Sequence, residues 1–232
     1  MGAFPNLDET VVATARYLDA LTVLTDDDVR APSLLAGWTR GHVITHLARN
    51  ADALCNVLHG ARSGELRPMY ASQEQRDADI EAGASRSAAE LRDDAVASAG
   101  RWVQAANELP ASALDTPCCR ILGGPTWPVS QVSQMRWTEV EVHHADLGIG
   151  YTADDWPADF VAGLMERRRR ELVGTGPAFS WFVTDTGARW SSGAGPQVTG
   201  RAADLVWWLL GRGSGAHLRS THGALPELGS WA

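Results

Sequence analysis

QVSQMRWTEVEVHHADLGIG, residues 131–150, reads as a helix. Pro128 just upstream suits a first helical turn, where its missing N–H costs nothing, and Gly148 and Gly150 punctuate the other end. Val132, Met135, Val142 and Leu147 supply the apolar positions. Between them Glu139 and His143 stand four residues apart, so both side chains leave the same face, about 6 Å apart along the axis. A carboxylate and an imidazole so placed can grip a divalent ion if a third ligand arrives from elsewhere in the chain. The candidate is His46.

His46 belongs to a second predicted helix, capped by Thr39 and running to about Gly60, in which Val43, Ile44, Leu47, Ala51, Leu54, Cys55 and Leu58 form one apolar stripe. Two more long helices complete a set of four. One covers residues 7–24, with Val11, Val12, Ala15, Leu18 and Leu21 as its apolar face and Asp8 and Glu9 near its positive end. The other opens at Ser87 and Glu90, which have capping-box spacing, and runs through Leu91, Ala95, Ala99, Val103 and Ala106 to the stop at Pro110. A short polar helix, SQEQRDADIEAG, lies between, anchored by Ile80, while TDDD after the first helix reads as a break and Cys118-Cys119 as loop. Four helices with one apolar stripe each pack most simply as a bundle whose core can host a metal, here over residues 1–150.

Beyond residue 150 the pattern changes. After a helix from about Pro157 to Leu172, FSWFVTDTGARWSSGAGPQVTG carries β-branched and aromatic runs broken by glycine turns, predicting two or three antiparallel strands. RAADLVWWLLG, residues 201–211, returns to helix, and the tail is loop-like, with Trp231 expected to plug back into the core. The fold class is therefore α+β, a helical bundle followed by a smaller α/β domain over residues 151–232.

Composition bounds the function. The formal net charge of −8 and dispersed arginines argue against a nucleic-acid surface, and the Arg167–Arg170 run reads as a solvated helix face. No apolar run reaches membrane-spanning length, and the N-terminus MGAFPNLDETVV lacks the basic and apolar regions of a secretory signal, so no membrane association and a cytoplasmic location are expected. Three cysteines, two of them adjacent, imply no disulfide framework.

Each candidate has a plain alternative. A histidine on a helix stripe is usually a hydrogen-bonded core residue, and an acid with a histidine at i,i+4 is often only a surface pair. Together, however, His46, Glu139 and His143 make a His₂Glu set, the complement of catalytic zinc sites that keep one position open, where a bound thiol would be held as thiolate. His42 and His144 compete, although His144 points about 100° away from His143, and Asp146 could orient a ligand from behind. Arg212, between Gly211 and Gly213, could merely complement a helix C-terminus or could reach a substrate carboxylate in bidentate fashion. There is no nucleophile elbow and no phosphate-binding loop.

The segments LLAGWTRGHVITHLARNADALCNVLHGARSGELRPMY, QEQRDADIEAG, RWTEVEVHHADLG and WWLLGRGSG together resemble the mycothiol-dependent maleylpyruvate isomerases, from end to end of the chain. The patterns G-W-T-R-x-H-x-x-x-H-x-A and R-x-x-E-x-x-x-H-x-x-D-L are shared with a wider group of mycothiol-linked and DinB-like proteins. The resemblance implies a DinB-like four-helix bundle holding zinc through His46, Glu139 and His143, a smaller α/β C-terminal domain, and Arg212 as the catalytic or substrate-binding arginine. It further implies mycothiol as thiol cofactor, a small-molecule substrate, and cis-to-trans isomerisation of maleylpyruvate to fumarylpyruvate by reversible thiolate addition, a step of gentisate degradation. Mycothiol S-transfer to another electrophile, or a non-catalytic helical module with a structural zinc, are the alternatives.

Overall fold

The computed structural model describes residues 4–228, and the chain divides into two compact units, Met1–Gly150 and Tyr151–Ala232. The first is helical: α1 (Leu7–Leu21), α2 (Asp26–Arg30), α3 (Arg40–Ser63), α4 (Gln73–Ala84), α5 (Ala88–Asn107) and α6 (Val132–Asp146). Helices α1, α5, α3 and α6 close a ring in which each touches the next, giving the expected four-helix bundle. Capping explains where the helices begin. Thr39 and Ser87 each accept from the third backbone N–H of the helix they open, and His42 and Glu90 return the bond to the cap residue, which satisfies N–H groups that would otherwise be orphaned.

The α3 stripe is the spine of the core. Val43, Ile44, Leu47, Ala51, Leu54 and Leu58 are all buried, and the last three share a core cluster with Trp102 and Ala106 of α5 and Val132 of α6. Each such leucine contributes about 1.5–3 kcal/mol of burial free energy. Helix α4 lies along α3 because glycines let it approach: a Cβ on Gly41 would run into the Ala84 carbonyl oxygen, and one on Gly83 into Thr45.

Three local readings are corrected. Helix α1 turns Leu7, Thr10, Ala13, Thr14, Tyr17 and Leu21 inward and leaves Val11 and Val12 exposed. The buried threonines are tolerated because their hydroxyls donate to Asn6 O at 2.6 Å and Thr10 O at 2.7 Å. The TDDD break contains the one-turn α2, capped by Thr25 with Asp28 closing the box. Cys118-Cys119 lies not in a loop but in β1 (Pro117–Cys119), which pairs antiparallel with β2 (Thr126–Pro128), Cys118 opposite Trp127. Pro128 therefore ends a strand, and a 3-10 turn, Val129–Gln131, leads into α6. Backbone bonds from Met69 and Tyr70 to Cys119 and Arg120, both 3.0 Å, tie the segment before α4 to this hairpin.

The second unit contains α7 (Ala158–Leu172), β3 (Ser180–Val183), β4 (Arg189–Ser191), β5 (Gln197–Gly200), α8 (Ala202–Leu209) and β6 (Arg219–Ser220). Its sheet has the order β4-β3-β5-β6. The all-antiparallel expectation fails at one pairing, since β5 runs parallel to β3. The SGAGP segment, instead of making a hairpin, carries the chain past the start of β3, and a Cβ on Gly195 would run into the Ala178 carbonyl oxygen. The tail is not wholly loop, because β6 pairs with β5. Phe179, Trp181, Val198, Leu205 and Leu209 fill the core. Arg168 departs from the solvated face expected of the arginine run: it is buried and donates from Nε to Leu209 O at 2.8 Å. Trp231 lies outside the described residues. No described helix is long and apolar enough to cross a membrane.

Candidate metal centre

Helices α3 and α6 touch, and the touching faces carry His46 from the first and Glu139 and His143 from the second. One donor atom from each of the three residues lies within 4.8 Å of the others. Glu139 Oε2 stands 2.9 Å from His46 Nε2 and 3.4 Å from His143 Nε2, so two imidazoles address one carboxylate oxygen. Their rings meet edge to face with centroids 4.7 Å apart. His46 and His143 are buried and Glu139 is half-buried, so the cluster sits in the wall of the bundle with one side open.

The surroundings set protonation. Burial pushes His46 down to about 4 against the opposing pull of Glu139, which favours a neutral ring with a free lone pair. Burial would also lower His143, but its hydrogen bonds to Asp146 and Glu139 outweigh that and hold it up. Burial would raise Glu139; the bonds from His143 and His46 dominate and keep it well below the usual carboxylate range. Asp146, fully buried, receives the His143 Nδ1 proton at 2.8 Å and so aims Nε2 into the cluster. Two imidazole Nε2 atoms and an ionised carboxylate converging on one point fit a zinc ion with a remaining open position.

The two competing histidines fall outside this group. His42 is spent on the cap of α3, its Nδ1 accepting from the Thr39 backbone at 3.2 Å, and its Nε2 faces Glu81 at 3.2 Å. His144 is buried on the far side of α6, edge-on to Tyr17 at 5.9 Å. Cys55 and Cys118 are buried thiols pushed up to about 11 and about 12 by desolvation, as core cysteines rather than nucleophiles. Arg212 belongs to the second unit. Gly211 and Gly213 on either side take φ of 69° and 67°, and its backbone N–H bonds Trp207 O at 3.0 Å, closing α8. Its Nη1 reaches Leu210 O at 3.2 Å, and it lines a recess of about 220 Å³ with Trp207, Trp208, Ser214 and His217.

Sequence reasoning missed two neighbours of the cluster. Trp38, just before the α3 cap, stacks on His42 and meets His46 edge-on at 5.7 Å. Arg76 of α4 places Nη2 3.3 Å from His46 Nδ1. Nothing in a polar helix of mixed charge distinguishes one arginine from its solvated neighbours, so Arg76 carried no signal; its position follows from the glycine contacts that hold α4 against α3.

Comparison with known proteins agrees with this arrangement. Residues 11–148 match the family described as mycothiol maleylpyruvate isomerase N-terminal domain, and residues 152–230 match its C-terminal domain family. Among solved structures, a crystal structure of the mycothiol-dependent maleylpyruvate isomerase superposes with a TM-score of 0.90 at 31% identity, covering 97% of this chain and 95% of that one. A crystal structure of a histidine-to-alanine variant of that enzyme gives 0.89 at 31% identity, with the same coverage. No curated protein matches. Across both its units, the chain belongs to the mycothiol maleylpyruvate isomerase family.

Proposed function

We propose that the chain is a zinc- and mycothiol-dependent isomerase that converts maleylpyruvate to fumarylpyruvate, with His46, Glu139 and His143 as the metal ligands. The observation that carries this reading is the convergence of a His₂Glu donor set with an open side, in a chain matched along both units to that isomerase family. Bound there, zinc would hold a thiol as thiolate, and mycothiol would supply the nucleophile whose addition frees the former double bond to rotate and whose later loss restores that bond.

The protein's own groups have separable tasks. Asp146 keeps the proton of His143 on Nδ1 and frees Nε2 for the ion. Glu139 stays ionised and lowers the net charge of the site by one. Trp38 packs edge-on against the ring of His46 and helps fix its orientation. Arg212, the glycine-flanked arginine of the second unit, is assigned from the family resemblance the task of neutralising a substrate carboxylate.

Purified protein should contain about one zinc per chain, as expected of a single three-ligand site. It should isomerise maleylpyruvate only when mycothiol is present. Alanine at His46, Glu139 or His143 should remove both metal and turnover, and a metal-free variant with full activity would sink the reading. Mycothiol should be regenerated; stoichiometric consumption with a stable thioether would instead mark S-transfer.

A further inference from the structure

We propose that Arg76 is a substrate-binding residue, whose Nε–Nη2 edge receives one carboxylate of a dianionic substrate beside the metal centre. The inference rests on the function proposed above and assigns a second cation to its substrate. A compound made of a maleyl and a pyruvyl part carries a carboxylate at each end, and one arginine can pair with only one of them.

The guanidinium is tethered from one side. Its Nη1 bonds Asp77 Oδ1 at 2.7 Å, and its plane lies near the Tyr70 ring, 5.9 Å from the centroid. Asp77 is 57% exposed, so this pairing neutralises the charge only weakly. The other edge is turned inward. Arg76 Nε is buried with no hydrogen-bond partner among the described residues, Nη2 faces His46 Nδ1 at 3.3 Å, and the guanidinium also interacts with the Tyr70 side chain. A buried guanidinium N–H without an acceptor is costly, which points to a partner that the protein itself does not supply.

The tautomer of His46 strengthens the case. A neutral imidazole that gives Nε2 to a metal keeps its single proton on Nδ1. Nδ1 then donates, and so does Arg76 Nη2, so the two no longer bond each other. A metal on Nε2 would thus take the His46 acceptor away from Nη2, while Nε already has none among the described residues. These are the two parallel donors that match a carboxylate in bidentate fashion. A second guanidinium, Arg120, 5.6 Å from the Tyr70 centroid, keeps the neighbourhood electropositive.

The test uses the full-length zinc-loaded protein and its Arg76→Gln and Arg76→Lys variants, with folding checked by circular dichroism. Zinc per chain, calorimetric affinity for maleate, and the kcat and KM for maleylpyruvate are measured on each. Arg76→Gln should keep its zinc, weaken maleate binding and raise KM by about 10- to 100-fold, the effect of losing a charged hydrogen-bonding partner. Its kcat should move much less. Arg76→Lys should recover part of the affinity through its charge, and it stands as the test if the glutamine variant does not fold. Unchanged maleate affinity in both variants would overturn the proposal, as would loss of zinc with normal maleate binding in the remaining loaded fraction, which would mark Arg76 as a support for His46. Wild-type protein that binds maleate but does not turn over maleylpyruvate overturns the proposed function, while the maleate measurements still decide the role of Arg76.

Discussion

Asp146 bears on the candidate metal site without being one of its three donors. Its carboxylate is fully buried, and it accepts a 2.8 Å bond from His143 Nδ1 that orients the ring. Asp146→Asn preserves the shape but offers a weaker, uncharged acceptor, or a donor if the amide flips. Zinc affinity should fall about 10- to 100-fold with the fold intact, as for other partners of ligating histidines; a chelator-competition titration that matches wild type would refute the role. The buried cysteines give a pH prediction of known sign. The pKa values of Cys55 and Cys118 are raised, to about 11 and about 12, so between the ordinary thiol value and these the unfolded chain loses protons that the native protein keeps. Below that window the thiols contribute no pH dependence; within it stability falls as pH rises. At pH 8 the native thiols should therefore resist Ellman's reagent and react fully in urea, and rapid native labelling of both would contradict their burial.

At the scale of helices, α4 is the element on which the candidate site's surroundings depend, and small residues hold it in place. Gly41→Ala would drive a methyl group into the Ala84 carbonyl, which backbone cannot yield cheaply, so a loss of about 1–3 kcal/mol is expected from overpacking. Urea denaturation with an unchanged midpoint would show that α4 can shift without cost. What the sequence disclosed about these elements followed the strength of the local signal. Helix α3 has a threonine cap and an apolar stripe and α5 a capping-box spacing and apolar positions, and both appear close to the predicted bounds. Helix α1 was legible as a helix but not in its facing, because Thr10, Thr14 and Tyr17 are buried by virtue of hydrogen bonding and packing that no hydropathy pattern registers. The short β1–β2 ladder and the parallel β3–β5 pairing depend on contacts between distant or crossing segments, which period-2 alternation cannot reveal. The i,i+4 geometry brought Glu139 and His143 together on paper, and it took the packing of α3 on α6 to bring His46 to them. Arg76 depended on a further contact again, that of α4 on α3.

For the whole molecule, a metal held by the proposed ligands would join α3 to α6 and bind the native chain and not the unfolded one, and mass action would then add to stability. With free zinc at about 100 times its dissociation constant the gain is about 2.7 kcal/mol. A chain of this size shifts its melting temperature by about 2–4 °C per kcal/mol, so stripping the metal should lower Tm by roughly 5–11 °C. The effect should also depend on pH, since the ligating imidazoles must be deprotonated to bind: acidification weakens metal affinity, and the melting temperatures with and without zinc should converge as pH falls. Hydrogen exchange locates the same coupling in the structure. His46 lies near the start of α3 and Glu139 and His143 in the second half of α6, so the amides of those turns should lose protection on chelation more than the far end of α3 near Ser63. Equal protection with and without chelator, together with an unchanged Tm, would mean that the three converging donors hold no ion in solution.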